Sequence, residues 1–99
     1  MAEVLINSEV TSGPAWWNLD IYLAEVISFQ LREFIRNAGG HPSGMTEEEW
    51  KSQLSSIAER LEKYSKKFDT ASFAEEMAIT VEGQQAMKEL AEIFPALWS

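Results

Sequence analysis

The sequence predicts an all-α fold: a small three- to four-helix bundle in one domain, residues 1–99, with an extended N-terminal arm. Three observations predict it. Apolar residues recur at three- and four-residue spacing over three long stretches, the period of a helix with one buried face. Glycine and proline fall between those stretches and not inside the first two, as "SGP" at 12–14 and "GGHPSG" at 39–44. The chain is 45% hydrophobic and 11% aromatic, enough for a single modest core in 99 residues.

Residues 1–13 read as the arm, with Val4, Leu5 and Ile6 as one short apolar cluster before the turn. The first helix is expected over residues 16–38, with Asn18 as N-cap or Pro14 in the first turn, and Gly39 and Gly40 as its left-handed stop. On a helical projection its polar stripe is narrow: Asn18, Glu25, Ser28, Arg32 and Arg36. Apolar side chains fill most of the rest, including Trp16, Leu19, Tyr22, Leu23, Phe29 and Phe34. A helix apolar nearly all round should be buried nearly all round. It is therefore expected either at the centre of the bundle or partly against a second chain.

The second helix, residues 46–67, carries the clearest start. Thr46 and Glu49 have the spacing of a capping box, and Met45 and Trp50 that of a hydrophobic staple. Trp50, Leu54, Ile57, Ala58, Leu61, Tyr64 and Phe68 then share one face, as in an ordinary amphipathic surface helix. The next ten residues offer caps and a Phe73–Met77 pair, consistent with short helical turns. Thr80 opens the third helix, residues 80–94, with Val81, Met87, Leu90, Ala91 and Phe94 on one face and Pro95 as its end. Gly83 within it costs about 1 kcal/mol against alanine. This third helix is expected to lie across the other two, with Leu97 and Trp98 folding back on the core.

Net charge is −8, from sixteen acidic and eight basic residues. That balance argues against nucleic acid, whose binding draws on Lys and Arg. It suits a basic protein surface instead. The basic run Arg60, Lys63, Lys66 and Lys67 reads as the cationic end of the second helix, paired at i,i+4 with Glu59 and Glu62. Cysteine is absent, which excludes disulfides and thiolate chemistry. No apolar run reaches the roughly 18 residues of a membrane span, and no basic region precedes an apolar run as in a secretory signal.

The only histidine, His41, sits between Gly40 and Pro42 and reads as a turn residue, since no second His or Cys exists to share a metal. Glu47, Glu48 and Glu49 are accounted for by the helix start. Asp20 projects among Trp16, Leu23, Ala24 and Ile27; amides of the first turn account for it. Phosphate loops, nucleophile triads and paired catalytic acids are missing, so no catalytic residue, metal or cofactor is expected. Trp16, Trp17, Tyr22 and Phe29 are the candidate partner or self-association surface, as apolar patches of this kind mark interaction sites. Asp20, Arg32, Arg36 and His41 are the candidate polar contacts. A homodimer through the first helix is expected; in the competing account the arm and the "ALW" tail cover that helix and leave a monomer.

"WNLDIYLA" at 17–24, Leu31 and Phe34, "GHPSGMTEEEW" at 40–50, Leu54 and Ile57, and "EGQQAMKELAEIFPALW" at 82–98 resemble a family of short proteins of tailed phages and prophages. Its members typically read Gly-Tyr-Pro and end Leu-Trp-Asp; here His41 stands in place of that Tyr and Ser99 in place of that Asp. The resemblance implies viral origin and a host bacterial cytoplasm, and it implies no reaction. Three functions follow from the two readings together. The first is an accessory protein that binds a host protein, such as a defence component. The second is a module that sequesters a small nucleotide, stacking it on Trp16, Trp17 or Trp50 with Arg32 or Arg36 at its phosphate. The third is a minor virion or assembly component.

Overall fold

The structure is a computed structural model, and it describes residues 18–37, 40–69 and 72–97. All regular structure among them is helical: α1 (Leu19–Asn37), α2 (Glu47–Ser65) and α3 (Phe73–Ile93), with short 3-10 turns at Lys67–Asp69 and Phe94–Ala96. The all-α expectation holds. The expected arm, Trp16, Trp17 and Trp98 lie outside the described residues. No helix among those described is long and apolar enough to cross a membrane.

α1 opens where the Asn18 carbonyl accepts the Tyr22 amide at 2.9 Å. The connection to α2 turns at Gly44, whose φ of +83° lies in the left-handed region where a side chain is strained. The capping box forms as the spacing predicts. Thr46 Oγ1 accepts the Glu49 amide at 3.0 Å, and Glu49 Oε1 accepts the Thr46 amide at 2.9 Å. Trp50 is buried in the core, and Met45 is partly buried against that core.

Four expectations are corrected. The third helix starts at Phe73, not Thr80. Ser72 is its N-cap, accepting the Glu75 amide at 3.1 Å, whereas Thr80 is a mid-helix residue whose hydroxyl donates to the Glu76 carbonyl at 2.8 Å. The expected apolar face of that helix is also displaced: of its residues Leu90 is buried, beside Gly83 and Ala86, while Val81, Met87, Ala91 and Phe94 are exposed. Further, the central element is α2, not α1. α2 packs extensively against α1 and against α3, while α1 and α3 make no comparable packing with each other. α2 ends at Ser65, so Phe68, expected on its apolar face, falls in the 3-10 turn and is exposed.

Why α2 takes the centre is visible in side-chain size. It contributes Trp50, Leu54, Ile57, Ala58 and Leu61 to the core. Its neighbours offer mostly small residues in return: Ala24 and Ser28 with Leu31 from α1, Gly83 and Ala86 with Leu90 from α3. Large residues on one helix against small ones on the next let axes approach and side chains interdigitate at crystal-like density. Ser28, expected on the polar stripe of α1, is buried by this arrangement and donates to the Glu25 carbonyl at 3.0 Å, so its hydroxyl is satisfied. Two ion pairs tie α2 to its neighbours. Arg32 reaches Glu62 at 2.7 Å, and Arg60 grips both carboxylate oxygens of the half-buried Glu89.

Candidate functional site

Because both outer helices lean on α2, a groove opens between them above it. Asp20, Leu23 and Ala24 form the α1 wall, Leu61 and Tyr64 the floor, and Gly83, Gln84 and Met87 the α3 wall. Helical spacing of three and four residues brings each set to one side of its helix. The volume is about 210 Å³ and the lining is mostly apolar. Leu23 and Met87 of the lining are each roughly half exposed, as is Leu19 one helical turn before Leu23 on α1.

The floor exists because residue 83 has no side chain. A Cβ built there would stand 2.6 Å from Tyr64 Cδ2, closer than van der Waals contact permits. Glycine inside a helix is costly, and here it admits the Tyr64 ring between α2 and α3. The ring in turn reaches α1: Tyr64 Oη donates to Asp20 Oδ2 at 2.6 Å. Lys67 Nζ stands 4.2 Å from the centre of the Tyr64 ring, 4.0 Å from Asp20 Oδ2, and donates to Thr80 Oγ1 at 3.4 Å. One end of the groove is therefore a polar cluster joining all three helices.

The electrostatics follow. The Tyr64 hydroxyl, with the Ile21 amide and Lys67, holds the Asp20 carboxyl below its ordinary value of 3.8 despite some desolvation. Burial, and then the Asp20 carboxylate accepting its proton, push the Tyr64 phenol above 10.0. Asp20 is thus an ionised acceptor and Tyr64 a protonated donor across the neutral range. The cluster suits recognition of a donor or a cation at the groove's end, next to an apolar side chain in its body.

Of the residues singled out from sequence, only Asp20 lines this groove. Tyr22 is half-buried and Phe29 exposed on α1. Arg32, paired with Glu62, borders a separate shallow cleft of about 410 Å³ with Ser55, Glu59, Lys63 and Lys66. Arg36 pairs with Glu33 at 2.6 Å. His41 is exposed in the connection, its Nδ1 at 3.2 Å from the Pro42 carbonyl. Trp50 lies in the core and is not available to stack on a base. Leu23, Tyr64 and Met87 were expected only as apolar face residues of their helices, and Gly83 only as a costly one; none was expected at a site. Gly83 was the one signal, an unexplained glycine in a helical pattern. Among the described residues, no group of three His, Cys, Asp or Glu is placed to hold a metal. No protein-family model matches the chain, and neither does any curated protein or solved structure.

Proposed function

We propose that this chain is a small phage accessory protein that acts by binding a host protein, such as a defence component, in the bacterial cytoplasm. One observation carries the reading: an apolar groove with half-exposed Leu23 and Met87 in its walls, half-exposed Leu19 one helical turn before Leu23, and the Asp20 carboxylate at one end. The phage setting rests on the order of the sequence motifs. A groove of about 210 Å³ accommodates one or two large apolar side chains, the usual anchor of a helix laid into a groove. The partner's neighbouring surface is basic, since the chain carries a net charge of −8.

Affinity capture from host lysate with the tagged full chain tests this. A specific partner is expected with the wild-type protein, and its capture is lost with Leu23→Glu and Leu19→Glu. Both side chains are half exposed, so helicity and thermal midpoint should be unchanged. Capture that both variants retain would overturn the groove as the site. The nucleotide reading has the Arg32–Lys63–Lys66 cleft in its favour, on different residues. Native mass spectrometry of the purified protein showing a retained nucleotide would replace the first reading with the second.

A further inference from the structure

One flank of α3, which at Gln84 and Met87 is also the wall of the groove, carries a second pattern that does not rest on the host-protein reading. Phe73, Met77, Thr80, Gln84, Met87 and Ala91 follow one another at steps of four, three, four, three and four residues. That is the a/d spacing of a coiled-coil seam. The seam does not face the core. Phe73 is 76% exposed, Met77 51% and Met87 43%, and Gln84 and Ala91 are exposed beside them; Thr80 is half-buried. A helix that meets its core with Gly83, Ala86 and Leu90 while turning Phe and Met outward has a second face to cover.

We infer that the occupant of this face is the same helix of a second copy, paired antiparallel in a two-fold dimer. The order of residues along the seam selects both the partner and the direction. In an antiparallel coiled coil each a residue lies level with a d residue of the other helix. Centred midway between Thr80 and Gln84, the seam sets Phe73 against the partner's Ala91, Met77 against the partner's Met87, and Thr80 against the partner's Gln84. Large meets small at the ends, Met meets Met next, and polar meets polar in the middle. The Gln84 amide donates to the partner's Thr80 hydroxyl, which still has a lone pair after accepting from Lys67 and donating to Glu76. Parallel pairing would stack Phe on Phe and Ala on Ala, leaving a gap beside a bulge. A shift by one layer would set Gln84 against Met and leave the amide without a partner. A polar residue in an otherwise apolar seam fixes register in this way.

Charge agrees. The chain carries −8, and two copies repel. The seam is nevertheless flanked by one acid and one base, Glu76 and Lys88, each six residues from the centre. At a rise of about 1.5 Å per residue the two Lys88 lie about 18 Å apart along the pair, as do the two Glu76. Both separations exceed the screening length of about 8 Å at physiological salt.

Three readouts on the full chain test the inference. Sedimentation equilibrium at micromolar concentration is expected to give a dimer that tightens as salt rises. Met77→Glu weakens it by at least about tenfold, because two carboxylates enter the seam, with no change in thermal midpoint; Phe29→Glu leaves it intact. The chain has no cysteine, so Met77→Cys and Met87→Cys each carry one thiol. Under mild oxidation the two variants cross-link when mixed, and neither does so alone. A wild-type monomer would overturn the inference, and if Met77→Glu were then destabilising, the face would be covered within the chain itself. A dimer indifferent to Met77→Glu would place the interface on another face. Cross-linking of either variant alone would make the pairing parallel.

Discussion

Gly83 reverses the usual arithmetic of a helical glycine. Replacing glycine by alanine within a helix ordinarily gains about 1 kcal/mol. Here the new methyl would meet Tyr64, a ring fixed at its far end by Asp20 and flanked by Lys67, so it has little freedom to retreat. Gly83→Ala should therefore destabilise, by roughly 1–3 kcal/mol as overpacking does, in chemical denaturation. A gain in stability would mean that Tyr64 swings out freely. The ionisable groups give a second expectation. Asp20, Glu62 and Glu89 are each held below their ordinary values of 3.8, 4.5 and 4.5, chiefly by hydrogen bonds from Tyr64, Arg32 and Arg60. A lowered carboxyl contributes its full share above its ordinary value, and that share fades as pH falls through the folded one. The Tyr64 phenol is shifted the opposite way; its share is complete below pH 10.0 and fades above it. Denaturation midpoints should thus hold between these limits, fall on acidification below pH 4.5 and fall again in strong alkali. A midpoint that rose on acidification would show that relief of the net negative charge outweighs these pairs.

Helix by helix, the sequence was legible in proportion to how conventionally each one starts and what it presents to the core. The start of α2 was readable to the residue, because a capping box and a buried Trp are local signals. Its interior was readable too, since its large apolar residues are the ones buried. α1 and α3 were misread for a common reason. Beside one leucine each, Leu31 and Leu90, their core faces are built from Ala24 and Ser28, and from Gly83 and Ala86, which weigh little in a search for apolar periodicity. Their large outward residues, Phe29, Val81 and Phe94 among them, dominated the pattern instead. The groove was illegible because it arises from close approach of helices distant in sequence, and among its residues only Asp20 had been a candidate contact, the others being read as face residues of their helices. The α2 assignment carries its own test. Thr46→Ala should cost about 1 kcal/mol, the worth of a cap. Trp50→Ala should cost roughly 3–5 kcal/mol, the worth of a buried aromatic. Equal, small effects of both would mean that α2 is not docked as described.

For the whole molecule, the governing feature is that one helix is shared and the outer two are not joined through a core of their own. The bridge between them is the polar cluster of Asp20, Tyr64, Lys67 and Thr80, which is small beside the apolar contacts each outer helix makes with α2. Such an arrangement sets an order of local unfolding. Either outer helix can lift away while the remaining pair stays folded, whereas α2 loses its structure only when both partners have gone. Amide hydrogen exchange should therefore be slowest along the middle of α2, around Leu54, Ile57 and Leu61, and approach the global unfolding free energy there. α1 and α3 should exchange faster and as two separate units, each with its own denaturant dependence. Uniform protection across all three helices would show instead that they open as one. The graded pattern carries a consequence for the life of the protein in a cell. A protease that samples transient openings would cut first within an outer helix, and any partner that clamps α1 and α3 together would lengthen the protein's survival without touching α2.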